Sequence, residues 1–503
     1  MRWIRYCLAA VLLLQQPAWA AKNVILMIAD GGGHNQWLAA SMYQGKVGKQ
    51  AYDAPGWVRY AATTYPLNLS NTPTGDEKQD ESLVYRPEKA WPVATTESLP
   101  DFFRLFLTRT PTDSAAAATA LATGRKTYNN AINWSNLNQP MRGQTIAEIA
   151  KAQGKAAGVV TTVPWSHATP AGLGGAHNVS RNHYVEIANE MLAAPYLDVI
   201  MGAGNPDFDD DGKARTNQPE NRDYNYVGGR AAWEQLKAGK HPAGCTLIES
   251  KADFDALADV PKANQRANKL LGTVQVATTL QQNRHRGPAP AAGKSVLDKA
   301  PFQSPKNGNV PTLATMTKAA VNCLSSNPKG FYLTIEGGAV DWANHANDGG
   351  RMIEEQIGFL QAVEAVVEWV NANSSWDDTL LILTADHESG LLWGPSDIFD
   401  PIKDNGPGKM PGMKYNSRGH SNSLVPIYAR GPGSRRFAEL VRGEDRNGVT
   451  AWRLSGERTI PDPDDVPRSH VISSPRVTLF PTGKYVDNTD IFTVMRAEVA
   501  KHE

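Results

Sequence analysis

Six short apolar runs constrain this chain most: residues 23–29, 156–163, 197–201, 330–335, 379–384 and 424–429 are apolar or β-branched, and each ends in polar or glycine-rich residues. Runs of this length bounded in this way read as strands, and their nearly continuous apolar character implies burial on both faces. A large, mostly parallel sheet with helices above and below follows, which is the α/β class in the form of a three-layer α/β/α sandwich. Between the runs, residues 145–153 and 351–371 have helical spacing. In the second, Met352, Ile353, Ile357, Leu360, Val363 and Val367 fall on one broad packing stripe. Stretches near 70–100, 205–311 and 401–419, rich in Pro, Gly, Asn and charge, read as insertions. Because the strands span nearly the whole length, residues 21–503 read as one elaborated domain.

The 503 residues are 41% hydrophobic and 20% charged, enough for a large core, so wholesale disorder is excluded. Residues 1–20 carry Arg2 and Arg5, an apolar run from Cys7 to Leu14, and then Ala18-Trp19-Ala20, small residues where a signal peptidase needs them. The run is shorter than the roughly twenty residues that span a bilayer. A cleaved signal peptide and a mature chain starting near Ala21 are therefore expected, with export to the periplasm or the medium and no membrane anchor in the mature form. Cys7 leaves with the leader, so Cys245 and Cys323 remain, either as one disulfide or as two thiols. Basic and acidic residues each total 51. That balance carries no basic footprint for nucleic acid.

Acids, histidines and small residues follow the strands directly, where open parallel sheets place their sites. The first strand runs into Asp30-Gly31-Gly32-Gly33; the acid alone reads equally as a loop cap, and the glycines allow a ligand close to the backbone. Asp113-Ser114 heads an alanine-rich helix, so Ser114 would lie in the positive field of a helix N-terminus. Taken alone, either residue is an N-cap; a serine nucleophile needs an activating partner. Such partners follow the run at 330–335, where Glu336 precedes Asp341 and His345, and a helix starting at Asp341 would turn the latter two to one face, suited to one metal. Asp386, His387 and Glu388 close the run at 379–384, and His420 lies in a glycine-rich loop. Several hard and borderline ligands beside a serine suit a two-metal displacement at phosphorus. His167, Thr169 and Arg181 add an imidazole, a hydroxyl and a guanidinium able to clamp phosphate.

Together and in this order, Asp30, Asp113-Ser114-Ala115, His167-Ala168-Thr169, Ser180-Arg181-Asn182, Glu336 to His345, Asp386-His387 and His420 resemble the alkaline phosphatase family over almost the whole mature chain. The resemblance implies hydrolysis of small phosphate monoesters through a phosphoserine, with broad specificity suited to phosphate scavenging, and a homodimer. It implies two zinc ions, one on Asp341, His345 and His420 and the other on Asp30, Asp386 and His387. A magnesium would sit between Asp30, Thr169 and Glu336. Ser114 would be the nucleophile, and Arg181, steadied by Asp113, the phosphoryl clamp.

His167 and Trp342 stand where some bacterial members carry aspartate, and lysine or histidine, respectively. This difference weakens the surroundings of the third ion and lets zinc or cobalt compete with magnesium. Ser421-Asn422-Ser423 departs from the Thr-Gly that commonly follows the histidine. Two mature cysteines cannot form the two disulfides of some bacterial relatives. Asp207 to Asp211 has the alternating acids of a calcium loop but Gln218 at the twelfth position; a solvated turn is the first reading and a structural calcium site the second. A phosphodiesterase or sulfatase on the same core, and a non-catalytic zinc or phosphate scavenger, are the competing functions. The serine nucleophile and the ligands of the third ion disfavour the former; a complete residue set disfavours the latter.

Overall fold

A computed structural model describes residues 20–91, 102–260, 269–288, 295, 297, 299–395, 401–446 and 483–500. Residues 1–19, which hold nearly all of the expected signal peptide, lie outside the described residues.

Eleven strands form the central sheet: β1 (Asn23–Ala29), β2 (Val58–Thr63), β3 (Ala156–Pro164), β4 (Val199–Ala203), β5 (Thr246–Ile248), β6 (Leu270–Thr273), β7 (Phe331–Gly337), β8 (Thr379–Thr384), β9 (Val425–Arg430), β10 (Gly443–Glu444) and β11 (Lys484–Asp487). Their spatial order is β10-β11-β2-β9-β8-β1-β7-β3-β4-β6-β5. Every neighbouring pair from β8 to β5 is parallel, whereas β9 runs antiparallel to both β8 and β2. Each of the six apolar runs thus becomes a sheet strand.

Alternation along β1 assigns the two faces. Ile25, Met27 and Ala29 join one buried cluster with α1 (His34–Gln44) and two helices near the middle of the chain, Leu313–Leu324 and Gly349–Asn373. Val24, Leu26 and Ile28 join the opposite cluster with α2 (Ser114–Thr123), α3 (Ile146–Ala152) and the last helix, Asn488–Val499. Side chains alternating across a strand require an apolar layer on each side, which is the physical content of the sandwich. The remaining helices used below are α4 (Ala168–Leu173), α5 (Tyr184–Ala193), α6 (Leu313–Leu324), α7 (Ala339–His345), α8 (Gly349–Asn373) and α9 (Asn488–Val499).

The stretch 205–311 is only partly irregular, since β5 and β6 extend the sheet from within it. Strands of three and four residues are too short to show a period. The acids at 207–211 are spent on the protein itself. Asp207 accepts from the Trp233 indole, Asp209 from backbone N–H groups of Asp211 and Lys213, Asp210 from Thr278, and Asp211 from the backbone of His285. Cys245 and Cys323 are free thiols. Cys245 lies in the cluster around α5, and Cys323 packs against the β1–α8 face. Among the described residues no helix is long and apolar enough to cross a membrane.

Candidate active site

Register brings the acids together. Ile28 of β1 is paired with Glu336 of β7 on one side and Thr384 of β8 on the other, so Asp30 and Asp386, each two residues further on, emerge side by side above Glu336. Beyond β1 the chain turns through Gly31 at φ +68, where a Cβ would lie 2.8 Å from Asp341 Oδ1. Only glycine takes that backbone conformation without strain and leaves the carboxylate its place.

Helix α7 puts Asp341 and His345 one turn apart, with His345 Nε2 3.2 Å from Asp341 Oδ2. His420, arriving on a short strand paired with Glu388-Ser389, places its Nε2 3.5 Å from Asp341 Oδ1. The Nδ1 atoms of the two imidazoles face backbone carbonyls: His345 meets Arg418 at 2.5 Å and His420 meets Thr112 at 2.9 Å. A carbonyl only accepts, so Nδ1 carries a hydrogen in each ring, and once the rings are neutral, as metal ligands must be, their Nε2 lone pairs point at one another across 3.0 Å. Two lone pairs and a carboxylate converging on one point fit a cation.

The neighbouring group is deeper. His387 Nε2 lies 3.1 Å from Asp386 Oδ2, 3.6 Å from Asp30 Oδ1 and 3.1 Å from Ser114 Oγ. Asp30 Oδ1, Asp386 Oδ2 and Glu336 Oε1 are buried without a hydrogen-bond partner. Buried carboxylate oxygens left in this state are costly, and a divalent ion satisfies them. The Thr169 hydroxyl at the start of α4 donates to Asp30 Oδ2 at 3.3 Å, and Thr161 donates to Glu336 Oε2. The residues present therefore fit bound divalent ions of the kind the family resemblance implies.

Electrostatics carries the same message. Burial, then repulsion from Asp386, Asp341 and Glu336, raises Asp30 well above the usual carboxylate range. Burial chiefly pushes Glu336 up to about 7. For Asp341 burial works upwards but His420 and His345 outweigh it, so its pKa is lowered; its hydrogen bond in turn takes His345 up to about 9. Such crowding is what added positive charge relieves.

Ser114 is the first residue of α2, and Asp113 serves two masters. Its Oδ1 accepts from the backbone N–H of Ala116 and of Asn130, each at 3.0 Å, while Oδ2 pairs with Arg181 at 3.0 Å. Burial opposes the Arg181 charge, but the charge and hydrogen bond of Asp113 prevail and raise its pKa. Ser114, Arg181, His167, Trp342, His345 and His420 line one open cleft. There His167 stacks on Tyr184 with ring centroids 5.8 Å apart and meets Trp342 edge-on at 5.5 Å. Burial first, then Arg181, lowers His167 to about 3, so this ring is neutral.

All the residues singled out for the site therefore lie in one region, and ligand atoms converge closely enough to hold a metal in two groups, Asp341 with His345 and His420, and Asp30 with Asp341 and His387. Asp386, expected in the second group, stands beside it, its Oδ2 3.1 Å from His387 Nε2. Sequence reasoning missed Thr161 and Ser389, whose hydroxyls donate to Glu336 and Asp341. It also missed Gln282, Asn283 and Arg286 on the cleft wall. Thr161 had a signal, a hydroxyl inside a fully buried apolar strand; Ser389 sits on a strand of only two residues, too short to show a period, and Gln282, Asn283 and Arg286 stand in irregular chain.

The family model described as alkaline phosphatase matches residues 106–406. The alkaline phosphatase of Escherichia coli (strain K12) is 31% identical over 460 residues, covering 84% of this chain and 84% of its own length. Alkaline phosphatase H of Pseudomonas aeruginosa (strain UCBPP-PA14) is 29% identical over 455 residues, covering 84% of this chain and 83% of its own. Among solved structures, the alkaline phosphatase of the Antarctic bacterium TAB5, in a mutant with a histidine changed to aspartate and Mg bound in the M3 site, superposes with a TM-score of 0.58 at 21% identity, over 97% of this chain and 100% of that one. A cold-active enzyme from a Shewanella species gives 0.57 at 22% identity, over 95% and 100%. At these identities the structural likeness speaks for the fold.

Proposed function

Since the chain belongs to the alkaline phosphatase family and is a metal-dependent phosphomonoesterase, we propose that Ser114 is its nucleophile and that hydrolysis runs through a phosphoserine at this residue. The observation that carries the reading is Ser114 Oγ, 3.1 Å from His387 Nε2, at the N-terminus of α2 and beside buried carboxylates without partners.

Two zinc ions, one at Asp341, His345 and His420 and one at Asp30, Asp386 and His387, with magnesium at Asp30, Thr169 and Glu336, would supply Lewis-acid charge to the reacting oxygens. Ser114 Oγ gives its proton to solvent and bonds to phosphorus as the ester P–O bond breaks, and the departing alcohol oxygen takes a proton from solvent. Water then attacks the phosphoserine in line; its oxygen bonds to phosphorus and gives a proton to solvent, the Oγ–P bond breaks, and the departing Ser114 Oγ takes a proton from solvent. Arg181 holds two phosphoryl oxygens through both attacks, and Asp113 fixes its direction. The helix N-terminus adds backbone N–H dipoles where negative charge collects. His167 and Trp342, flanking the third ion's position with an uncharged ring and an indole, let zinc or cobalt compete there with magnesium.

Broad specificity, phosphate scavenging after export, and a homodimer complete the reading. Hydrolysis of a chromogenic phosphate monoester by the mature protein, with and without chelator and beside Ser114→Ala, tests it. Activity that vanishes on chelation, returns with zinc and magnesium, and collapses in the variant supports the assignment; a variant that retains wild-type turnover refutes Ser114.

A further inference from the structure

The cleft that Ser114 and Arg181 line is also lined by three polar residues from one short segment, Gln282, Asn283 and Arg286. The segment bearing them is firmly held. Arg284, fully buried, pairs with Glu354 of α8 at 2.7 Å, and the Arg286 carbonyl accepts from Ser304 Oγ at 2.9 Å.

Arg286 itself is aimed by one bond. Its Nε donates to Asp348 Oδ2 at 3.0 Å, and Asp348 is the N-cap of α8, three residues beyond His345. Asp348 is 2% exposed, so the anchor is rigid and tied to the same helix pair that presents the histidine. Among the described residues nothing bonds to the two terminal guanidinium nitrogens, and the side chain keeps 22% of its exposure. A guanidinium held by Nε with its fork open is the arrangement that grips an anion in two-point fashion. Gln282 supplies an independent sign: it is 3% exposed, and its Oε1 is buried with no hydrogen-bond partner. A buried acceptor in this state is at a loss until a donor arrives.

We propose that Gln282 and Arg286 form a leaving-group subsite, selecting phosphate monoesters whose alcohol carries a second anionic group, a carboxylate or another phosphate, with hydroxyls beside it. The inference rests on the monoesterase reading of the same cleft: Arg181 takes the phosphoryl group being transferred and Arg286 the anion that departs with the alcohol. The preferred substrates are then phosphorylated hydroxy acids and bisphosphorylated polyols over simple alkyl or aryl phosphates.

The test compares phosphorylated ω-hydroxy acids of two, three and four carbons with alkyl phosphates of the same length. Kd is measured calorimetrically in the metal-loaded Ser114→Ala protein, and kcat/KM in the Ser114 protein, each with Arg286 and with Arg286→Gln. The expected result is a preference for the acid at one or more lengths that falls about tenfold in Arg286→Gln and is partly restored by Arg286→Lys. A merely structural role for Arg286 would weaken both ligand series together and leave their ratio unchanged. An acid-to-alkyl ratio the same within twofold with and without Arg286, at every length, overturns the proposal. Failure of the monoesterase reading shows separately, as absent turnover of all the esters, and the binding ratio still decides the subsite.

Discussion

Ser114 Oγ and His387 Nε2 stand 3.1 Å apart although 273 residues separate them in sequence. The serine takes its place from the N-terminus of α2, the histidine from the end of β8, and both depend on the same group of buried acids. The two side chains should therefore fail differently. Ser114→Ala is expected to keep its bound metal while losing about a thousandfold or more in kcat. His387→Ala should lose metal as well as rate. Metal content by atomic spectroscopy beside steady-state kinetics separates the two, and full metal retention in His387→Ala would remove that histidine from the ligand set.

Gly31 tests how tightly the acids are packed. A methyl group there would lie 2.8 Å from Asp341 Oδ1 and 2.9 Å from Ser389 Oγ, at a φ of +68. Gly31→Ala should cost about 1–3 kcal/mol of stability through backbone strain and lower kcat/KM at least ~10-fold by moving Asp341. Chemical denaturation and kinetics check the two effects; unchanged kinetics would mean that Asp341 has room to adjust.

Asp113 joins a cap to a clamp. Arg181→Ala should lower kcat/KM by roughly a hundredfold or more through loss of phosphoryl contacts. Asp113→Ala should do less to catalysis but cost about 1 kcal/mol of stability, because Ala116 N–H loses its acceptor. Asp113→Asn, which can still cap, should recover most of the stability and little of the Arg181 orientation. Equal stability loss in Asn and Ala variants would contradict the division of labour between its two oxygens.

The parts of this protein legible in its sequence are those where local and tertiary preferences agree. Asn23–Ala29 and Thr379–Thr384 have the residue bounds that their apolar runs suggest, because both faces of each are buried and the acids that stop them are needed at the site. The run at 197–201 falls two residues early against Val199–Ala203, since Leu197 is buried by packing against α5 rather than by the sheet. β2 was not legible: Val58, Arg59 and Tyr60 are half-buried and only Ala61 to Thr63 fully so, which leaves no sustained pattern. Asp341 and His345 were legible from their crowding with Glu336 after a buried apolar run, at a spacing that puts them on one face of a helix. His420 was legible only in the company of the other ligands and through the family resemblance, for its partners Thr112 and Asp341 are far away in sequence and only folding brings them within reach.

At the opposite end of the sheet, Lys155 donates to the carbonyls of Ala21, Lys22 and Lys329 at 3.0, 2.9 and 3.0 Å, tying together the chain entering β1, β3 and β7. Burial, with Lys22 and Lys329 nearby, takes its pKa down to about 8 from an ordinary 10.5. Between those values the unfolded chain binds more protons than the folded one, so this group's contribution makes stability rise with pH over that window. Lys155→Met should cost about 2–4 kcal/mol by leaving buried carbonyls without a donor, remove that rise, and spare kcat. Calorimetry across the window checks the sign; a rise of the same size in the variant would assign it to another group.

The central claim is a covalent phosphoryl group on Ser114, and the direct measurement is to trap it. Metal-loaded protein mixed with phosphate monoester, quenched in acid, digested and examined by mass spectrometry should give the peptide beginning near Asp113 with one phosphoryl group on Ser114, and none in Ser114→Ala. Turnover of the ester with no phosphorylated Ser114 at any quench time, or phosphate found on another side chain in its place, would contradict the account.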